Sequence, residues 1–285
     1  MKKVIVGIDG SKESFNSYSC AAGFFPHKKI EIEAVFVIDE RKTQIPFIYS
    51  GAAYDVAYER LYIPVDQGLK DFYEKLDKDN RIFASKCIKK CSNTDLGANV
   101  NQEGVVLEGE PSEILLKHSK EADLLVLGQR GENSTLKREL IGSTSEELVR
   151  RAEVPVLICP GRDAGLSRVL IVHEGSSSSV NALNYYIDNL CLANSKLIVL
   201  ITGHIDEIKA NMAENLKILK DKGVNVVFEH CNGHAAGKAL ELMDTYSIEA
   251  VILGSHGKHK LTEYLLGSVT IHIIRKSSLP VFIVH

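Results

Sequence analysis

The sequence predicts an α/β protein made of two tandem doubly wound domains, and three observations carry that expectation. Short runs rich in Val, Ile and Leu alternate with longer helix-like stretches. The same series occurs twice within 285 residues. The runs are continuously apolar rather than alternating, which suits strands covered by helices on both faces. A β-α-β alternation of this kind closes through right-handed crossovers into an open parallel sheet.

In the first copy the strands are expected at 4–8 (VIVGI), 30–38, 105–107, 123–128 and 155–159 (PVLIC), with helices at 11–25, 66–91, 110–121 and 143–151. In the second copy strands are expected at 168–172, 195–201, 225–229, 249–254 and 280–284 (PVFIV), with helices at 177–193, 205–222, 234–246 and 269–276. Pro111 suits a first helical turn, where its missing N–H costs nothing. Pro155 and Pro280 each open the last strand of their copy, a place where sheets accept proline. The turn-forming stretch PGRDAGLS (160–167) divides the chain into domains 1–160 and 168–285. The first copy is longer because roughly 60 residues separate its second and third strands, against about 20 in the second copy. The 40–65 part of that insertion, with tyrosines at 49, 54, 58 and 62, reads as a lid, a dimer contact or an ordered surface excursion.

Composition narrows the function classes. Hydrophobic residues at 45% and charged residues at 25% indicate a globular chain. A formal charge of −3 offers no basic excess for a nucleic-acid partner. No apolar run approaches the roughly 18–20 residues of a bilayer span. The opening MKKVIVGIDG is too short for a signal-peptide core and reads as a first strand, so a cytoplasmic location is expected. The six scattered cysteines then read as reduced thiols rather than a disulfide framework.

Chemistry in an open parallel sheet is expected at the carboxyl ends of the strands. After the fourth strand the first copy reads GQRG(132–141)GST, with Gly128, Arg130, Gly131, Gly142, Ser143 and Thr144. The second copy reads Gly254-x2-Gly257-x9-Gly267-Ser268, with His256 between the first two glycines. Glycines let backbone approach a phosphate, and the helix opened by Gly267-Ser268 offers free N–H groups to an anion. After the first strand of each copy stand Asp9-Gly10-Ser11 and Glu174-Gly175-Ser176, whose acids suit a magnesium ion or a ribose hydroxyl. The chain has neither a P-loop nor a strand-borne G-x-G-x-x-G, so neither a P-loop NTPase nor a dinucleotide oxidoreductase is indicated.

The segments VIVGIDGS, EGEPSEILLKHSKEADLLVLGQRG and IGSTSEELVRRAEVPVLICP resemble the universal stress protein family. The second copy is similar again through RVLIVHEGSS, CNGHAAGKALELMDTYSIEAVILGSHG and LLGSVTIHIIRKSSLPVFIV, so the resemblance spans essentially the whole chain. It implies, for each domain, a five-stranded parallel sheet flanked by helices, the adenine nucleotide alpha hydrolase-like arrangement. It also implies frequent dimerisation, and ATP or AMP binding in some members. Phosphates and ribose would lie on the glycine segments, while the first-strand acid and the end of strand two flank the adenosine. In this chain that assigns Val37 to the first copy and Leu253 and Val269 to the second. The second copy matches the glycine spacing fully but carries Glu174 where Asp is usual. The first copy keeps Asp9 but has ten residues between Gly131 and Gly142. The second copy is therefore expected to be the better phosphate site.

Other residues invite weaker readings. His230, Cys231 and His234 suggest a metal, but no second ligand cluster accompanies them, and no metal site is assigned. Cys87 and Cys91 lie four apart and are expected to share a helix face. The Ser176–Ser179 run reads as a helix cap before a nucleophile. Three functions remain open: a nucleotide-binding regulator, a slow metal-dependent ATPase using Asp9 or Glu174, and a pair of interaction modules that bind no nucleotide. The absence of an evident general base or arginine finger favours the regulator. Finally, PVLIC and PVFIV are short, apolar and without charge, so as sheet edges they are expected to pair with each other inside the chain. A homodimer through 40–65 is the further possibility.

Overall fold

Along the first strand Val4, Val6 and Ile8 enter one hydrophobic core while Ile5 enters a second. That period-two split places a core on each face of the sheet. In the computed structural model, which describes residues 1–25, 28–43, 67–131, 141–161, 165–255 and 266–285, the first half runs β1 (Lys2–Ile8), α1 (Lys12–Gly23), β2 (Ile30–Asp39), α2 (Glu40–Thr43), α3 (Gln67–Ser92), β3 (Val100–Gly109), α4 (Pro111–Ser119), β4 (Leu124–Gly128), α5 (Ser143–Arg151) and β5 (Val156–Cys159). The second half follows with β6 (Arg168–His173), α6 (Ser177–Tyr185), β7 (Lys196–Ile201), α7 (Ile205–Asn211), α8 (Ala213–Asp221), β8 (Asn225–His230), α9 (Ala235–Thr245), β9 (Ala250–Gly254), α10 (Ser268–Lys276) and β10 (Val281–Val284). Helices α1, α3, α6, α7 and α8 cover one face, and α4, α5, α9 and α10 the other. This is the doubly wound α/β arrangement the sequence predicts.

Each half orders its strands alike, β3-β2-β1-β4-β5 and β8-β7-β6-β9-β10, and every pair inside a half is parallel. The two sets join through one antiparallel pair, Val281 opposite Ile158, Phe282 opposite Leu157 and Ile283 opposite Val156, to give a single ten-stranded sheet. Pairing of these two strands removes the apolar edge that each would otherwise expose. Phe282 lies edge-on to Phe24 of the first half at 4.9 Å between ring centroids, so the join is also a packed core.

Three elements differ from their predicted spans by more than two residues or by a break. Strand β3 covers Val100–Gly109 rather than 105–107. It is an edge strand whose Asn101, Glu103, Gly104 and Glu108 are exposed, which hides its length from a search for apolar runs. The predicted helix 177–193 ends as a π turn over Tyr186–Leu190, closed by Cys191 N–H donating to the Tyr186 carbonyl at 2.8 Å. The wider turn buries Tyr186, Ile187 and Leu190 together. The predicted helix 205–222 breaks at the buried Met212 into α7 and α8. The 40–65 insertion lies outside the described residues beyond Thr43. Among the described residues no helix is long and apolar enough to cross a membrane.

Candidate functional site

The carboxyl end of β1 opens into α1 through a turn built by its own side chains. Asp9 Oδ1 accepts from the Ser11 N–H at 3.0 Å, and Ser11 Oγ accepts from the Ser14 N–H at 3.1 Å as the helix cap. Gly10 between them has φ +90°, a left-handed conformation that favours glycine. The other Asp9 oxygen, Oδ2, stands only 2.6 Å from where a Cβ on Gly131 would be. The acid of the first turn and the glycine turn after β4 are therefore in contact, and that contact requires glycine at 131.

The glycine turn is tied to the start of α5. Gly142 N–H donates to the Gln129 carbonyl at 3.0 Å, and Ser145 Oγ donates to the Gly128 carbonyl at 2.9 Å. Gly142 is the cap residue of α5 and makes no side-chain capping bond. The first N–H groups of that helix keep their capacity to bind an anion, at the positive end of its dipole. The second half repeats the construction: Gly267 N–H donates to the Ser255 carbonyl at 3.0 Å, Thr270 Oγ1 donates to the Gly254 carbonyl at 2.9 Å, and Gly267 caps α10 without a side-chain bond. Gly175, the counterpart of Gly10, has φ +81°.

The two ends differ in room. The first half holds a cleft of about 620 Å³, within the range of small-molecule sites. Asp9, Val37, Gly128, Arg130, Gly131, Gly142, Ser143 and Thr144 line it, together with Asp39, Lys42, Phe83, Leu115 and Leu127. Gly10 and Ser11 lie behind this wall as the turn and cap that hold Asp9. The corresponding cleft of the second half is about 100 Å³, lined by Glu174, Leu253, Gly254, Gly267, Ser268, Val269, Val172, Thr202 and Thr270. Gly175 and Ser176 form its turn and cap, while His256 and Gly257 lie outside the described residues.

Spacing of the glycines favoured the second half, whereas the space favours the first. Three positions account for much of the difference. Gly7 on the first-half floor is replaced by Val172, a buried side chain that fills the same position. Phe83 and Asn80 of α3 add a wall to the first cleft, and neither α7 nor α8 contributes one to the second. Glu174 also turns toward its own cap, accepting from Ser176 Oγ at 2.6 Å.

Charge in the first cleft is partly committed. Asp39 at the end of β2 takes Arg41 in a two-point bond, Nε to Oδ1 at 2.8 Å and Nη2 to Oδ2 at 2.9 Å. The Arg41 guanidinium holds the Asp39 carboxyl below its ordinary value. Arg41 also reaches Glu110 at 3.2 Å. Among the described residues, Lys42 and Arg130 are the cations that line the cleft itself. Asn80, Phe83, Asp39 and Lys42 escaped the sequence reading because they follow the matched segments or come from the insertion side. Only the cleft geometry brings them in.

The remaining candidates have structural partners. Ser176 caps α6, accepting from the Ser179 N–H at 3.2 Å. His234 caps α9 with Nδ1, accepting from the Gly237 N–H at 3.0 Å, and His230 Nε2 lies 3.1 Å from the Gly203 carbonyl. Among the described residues no three His, Cys, Asp or Glu side chains group as a metal site. Cys87 and Cys91 share the buried face of α3, and burial pushes the Cys91 thiol up to about 12.

A family model described as the universal stress protein family matches residues 1–160 and 202–285. Universal stress protein Slr1230 of Synechocystis sp. is 25% identical to this chain over 287 residues, covering 99% of each. Universal stress protein Rv2005c of Mycobacterium tuberculosis is 26% identical over 308 residues, covering 98% of this chain and 96% of its own. Among solved structures, the crystal structure of a universal stress protein from Archaeoglobus fulgidus DSM 4304 is similar with a TM-score of 0.68 at 20% identity, covering 99% of this chain and 97% of that one.

Proposed function

The chain belongs to the universal stress protein family, and on that premise we propose that it is a cytoplasmic stress-response regulator whose first half binds ATP or AMP. The observation that carries this reading is the 620 Å³ cleft in which Asp9 meets Gly131 beside the uncapped start of α5. The phosphates would lie against the N–H groups of Ser143 and Thr144, with Arg130 and Lys42 supplying positive charge. The apolar side chains of Val37, Phe83 and Leu115 suit a purine face. Asp9 would hold a magnesium ion travelling with ATP, which screens the phosphates from its own charge. The second half, with about 100 Å³, serves mainly as the structural partner of the first.

Regulation rather than turnover follows from how the cleft carboxylates are used. Asp39 is bound to Arg41, and Asp9 accepts from Ser11 in its own turn. Each is thereby engaged with a donor of its own, which favours holding a ligand over activating water. The test is calorimetry of the full chain with ATP and with AMP, together with mass spectrometry of nucleotide released on denaturation. Absence of binding by both measures would remove the reading. Sustained ADP release under excess ATP and magnesium would replace it with the ATPase.

A further inference from the structure

The antiparallel join turns the two halves end for end, so the strand ends of the first half point opposite to those of the second. Helix α10 starts at the small second-half cleft with Ser268 and runs back toward the first-half glycine turn. There its last carbonyls meet a side chain from the other half. Gln129, only 5% exposed, donates through Nε2 to the Ile274 carbonyl at 2.8 Å and to the Ser277 carbonyl at 3.1 Å. Carbonyls of a last helical turn have no intrahelical partner, so Gln129 acts as the C-terminal cap of α10.

The backbone of Gln129 belongs to the first-half cleft. It sits between Gly128 and Arg130, both of which line the cleft, and its carbonyl accepts from Gly142 at the start of α5. One residue thus fixes the glycine turn with its main chain and caps a helix of the other half with its side chain. The counterpart is Ser255, whose hydroxyl carries one proton and cannot make the paired donation. A second link, Glu146 to Arg275 at 3.1 Å, is partly exposed and for that reason carries less.

We infer that occupancy of the first-half cleft is passed to α10 through the Gln129 carboxamide, so that the second half reports what the first has bound. This rests on the nucleotide reading of that cleft. A phosphate seated against Arg130 and the α5 N-terminus moves or stiffens the 128–131 turn, and the capping amide moves with it. A filled cleft then changes the last turn of α10 on the far side of the join.

The experiment is amide hydrogen exchange on the full chain with and without ATP, read on peptides covering 266–285, beside calorimetry on the same samples. Gln129→Met keeps the volume and removes both donated bonds. The expected result is slowing of exchange in the last turn of α10 by about fivefold or more in the native protein. Gln129→Met, brought to ATP saturation as judged by its own calorimetry, should lose that slowing. ATP binding with unchanged α10 exchange overturns the coupling and leaves the nucleotide reading intact. Slowing that survives in Gln129→Met also overturns it, because ATP would then act on α10 by another route. No ATP binding by the native protein overturns both.

Discussion

Gly7→Val copies the second-half floor into the first half and tests whether space decides which half binds. A Cβ at Gly7 would lie 2.9 Å from Leu127 Cδ2 and 3.5 Å from Leu115 Cδ1. The first contact requires the end of the Leu127 side chain to move, and the valine methyls then extend into the cleft. Forcing a side chain into a packed site costs about 1–3 kcal/mol of stability. The lower part of that range applies, because the obstructing atom is the tip of a flexible side chain and because Val172 is accommodated at the matching place. Binding should suffer more than folding. If the valine denies a purine roughly 60–100 Å² of apolar contact, the loss is about 1.5–2.5 kcal/mol at 25 cal/mol per Å², or about 10- to 70-fold in Kd. Calorimetry with ATP measures the second effect and urea unfolding the first, with Val172→Ile as the control. A Gly7→Val protein that folds and binds ATP as tightly as the native chain would refute the assignment of the cleft.

Further outcomes follow from single contacts. Gly131→Ala places its Cβ 2.6 Å from Asp9 Oδ2, so calorimetry in magnesium should show ATP affinity falling by at least about tenfold, ~1.4 kcal/mol; unchanged affinity would mean that Asp9 takes no part. Phe282→Ala removes a fully buried ring set edge-on against Phe24 and should cost about 3–5 kcal/mol by urea unfolding, with both halves lost in one transition; two separate transitions would show that the join is not cooperative. For Glu33, burial pushes the carboxyl up, but bonds from His118 and Lys3 outweigh it and hold the carboxyl below its ordinary value. Its contribution is therefore complete above the unfolded carboxyl value of about 4.3 and is lost as pH falls through the lower folded value. Glu33→Gln should flatten the acid limb of a stability-against-pH curve, and an identical limb would exclude this network.

The fold was legible because its determinants are local and repeated. Val4–Val6 and Val169–Val172 are buried on both faces, and a strand of that kind announces itself as an unbroken apolar run. Helix α5 spans Ser143–Arg151 as expected, because Gly142 precedes it and Pro155 follows within four residues of its end. What escaped detection was whatever depends on the neighbour. The edge strand β3 has one open side, so its polar residues mask its length. The π turn at Tyr186 follows from three side chains reaching one core, which no helical period records. The site divides in the same way. Asp9, Gly128, Gly131 and Gly142 were visible as turn chemistry, whereas Gly7, Phe83 and Gln129 matter through what lies across from them.

That division explains why glycine spacing and cleft volume point to different halves. Spacing measures whether a backbone can approach a phosphate, and both halves retain this: Gly142 and Gly267 donate to equivalent carbonyls, each at 3.0 Å. Volume measures whether anything larger than a phosphate fits beside it, and this depends on residues outside the motif. Replacing Gly7 by Val172 leaves the turn untouched and fills the floor. A duplicated domain can therefore lose room for a base and a sugar while keeping every glycine of its turn. The second half still supplies β10 to cover the edge of β5, and α10 to accept the Gln129 cap. Those contacts constrain its strands and its last helix, but they place no demand on the floor of its own cleft. Gly254 and Gly267 of the second half are held in a hydrogen-bonded turn of their own, whatever the floor beneath it holds.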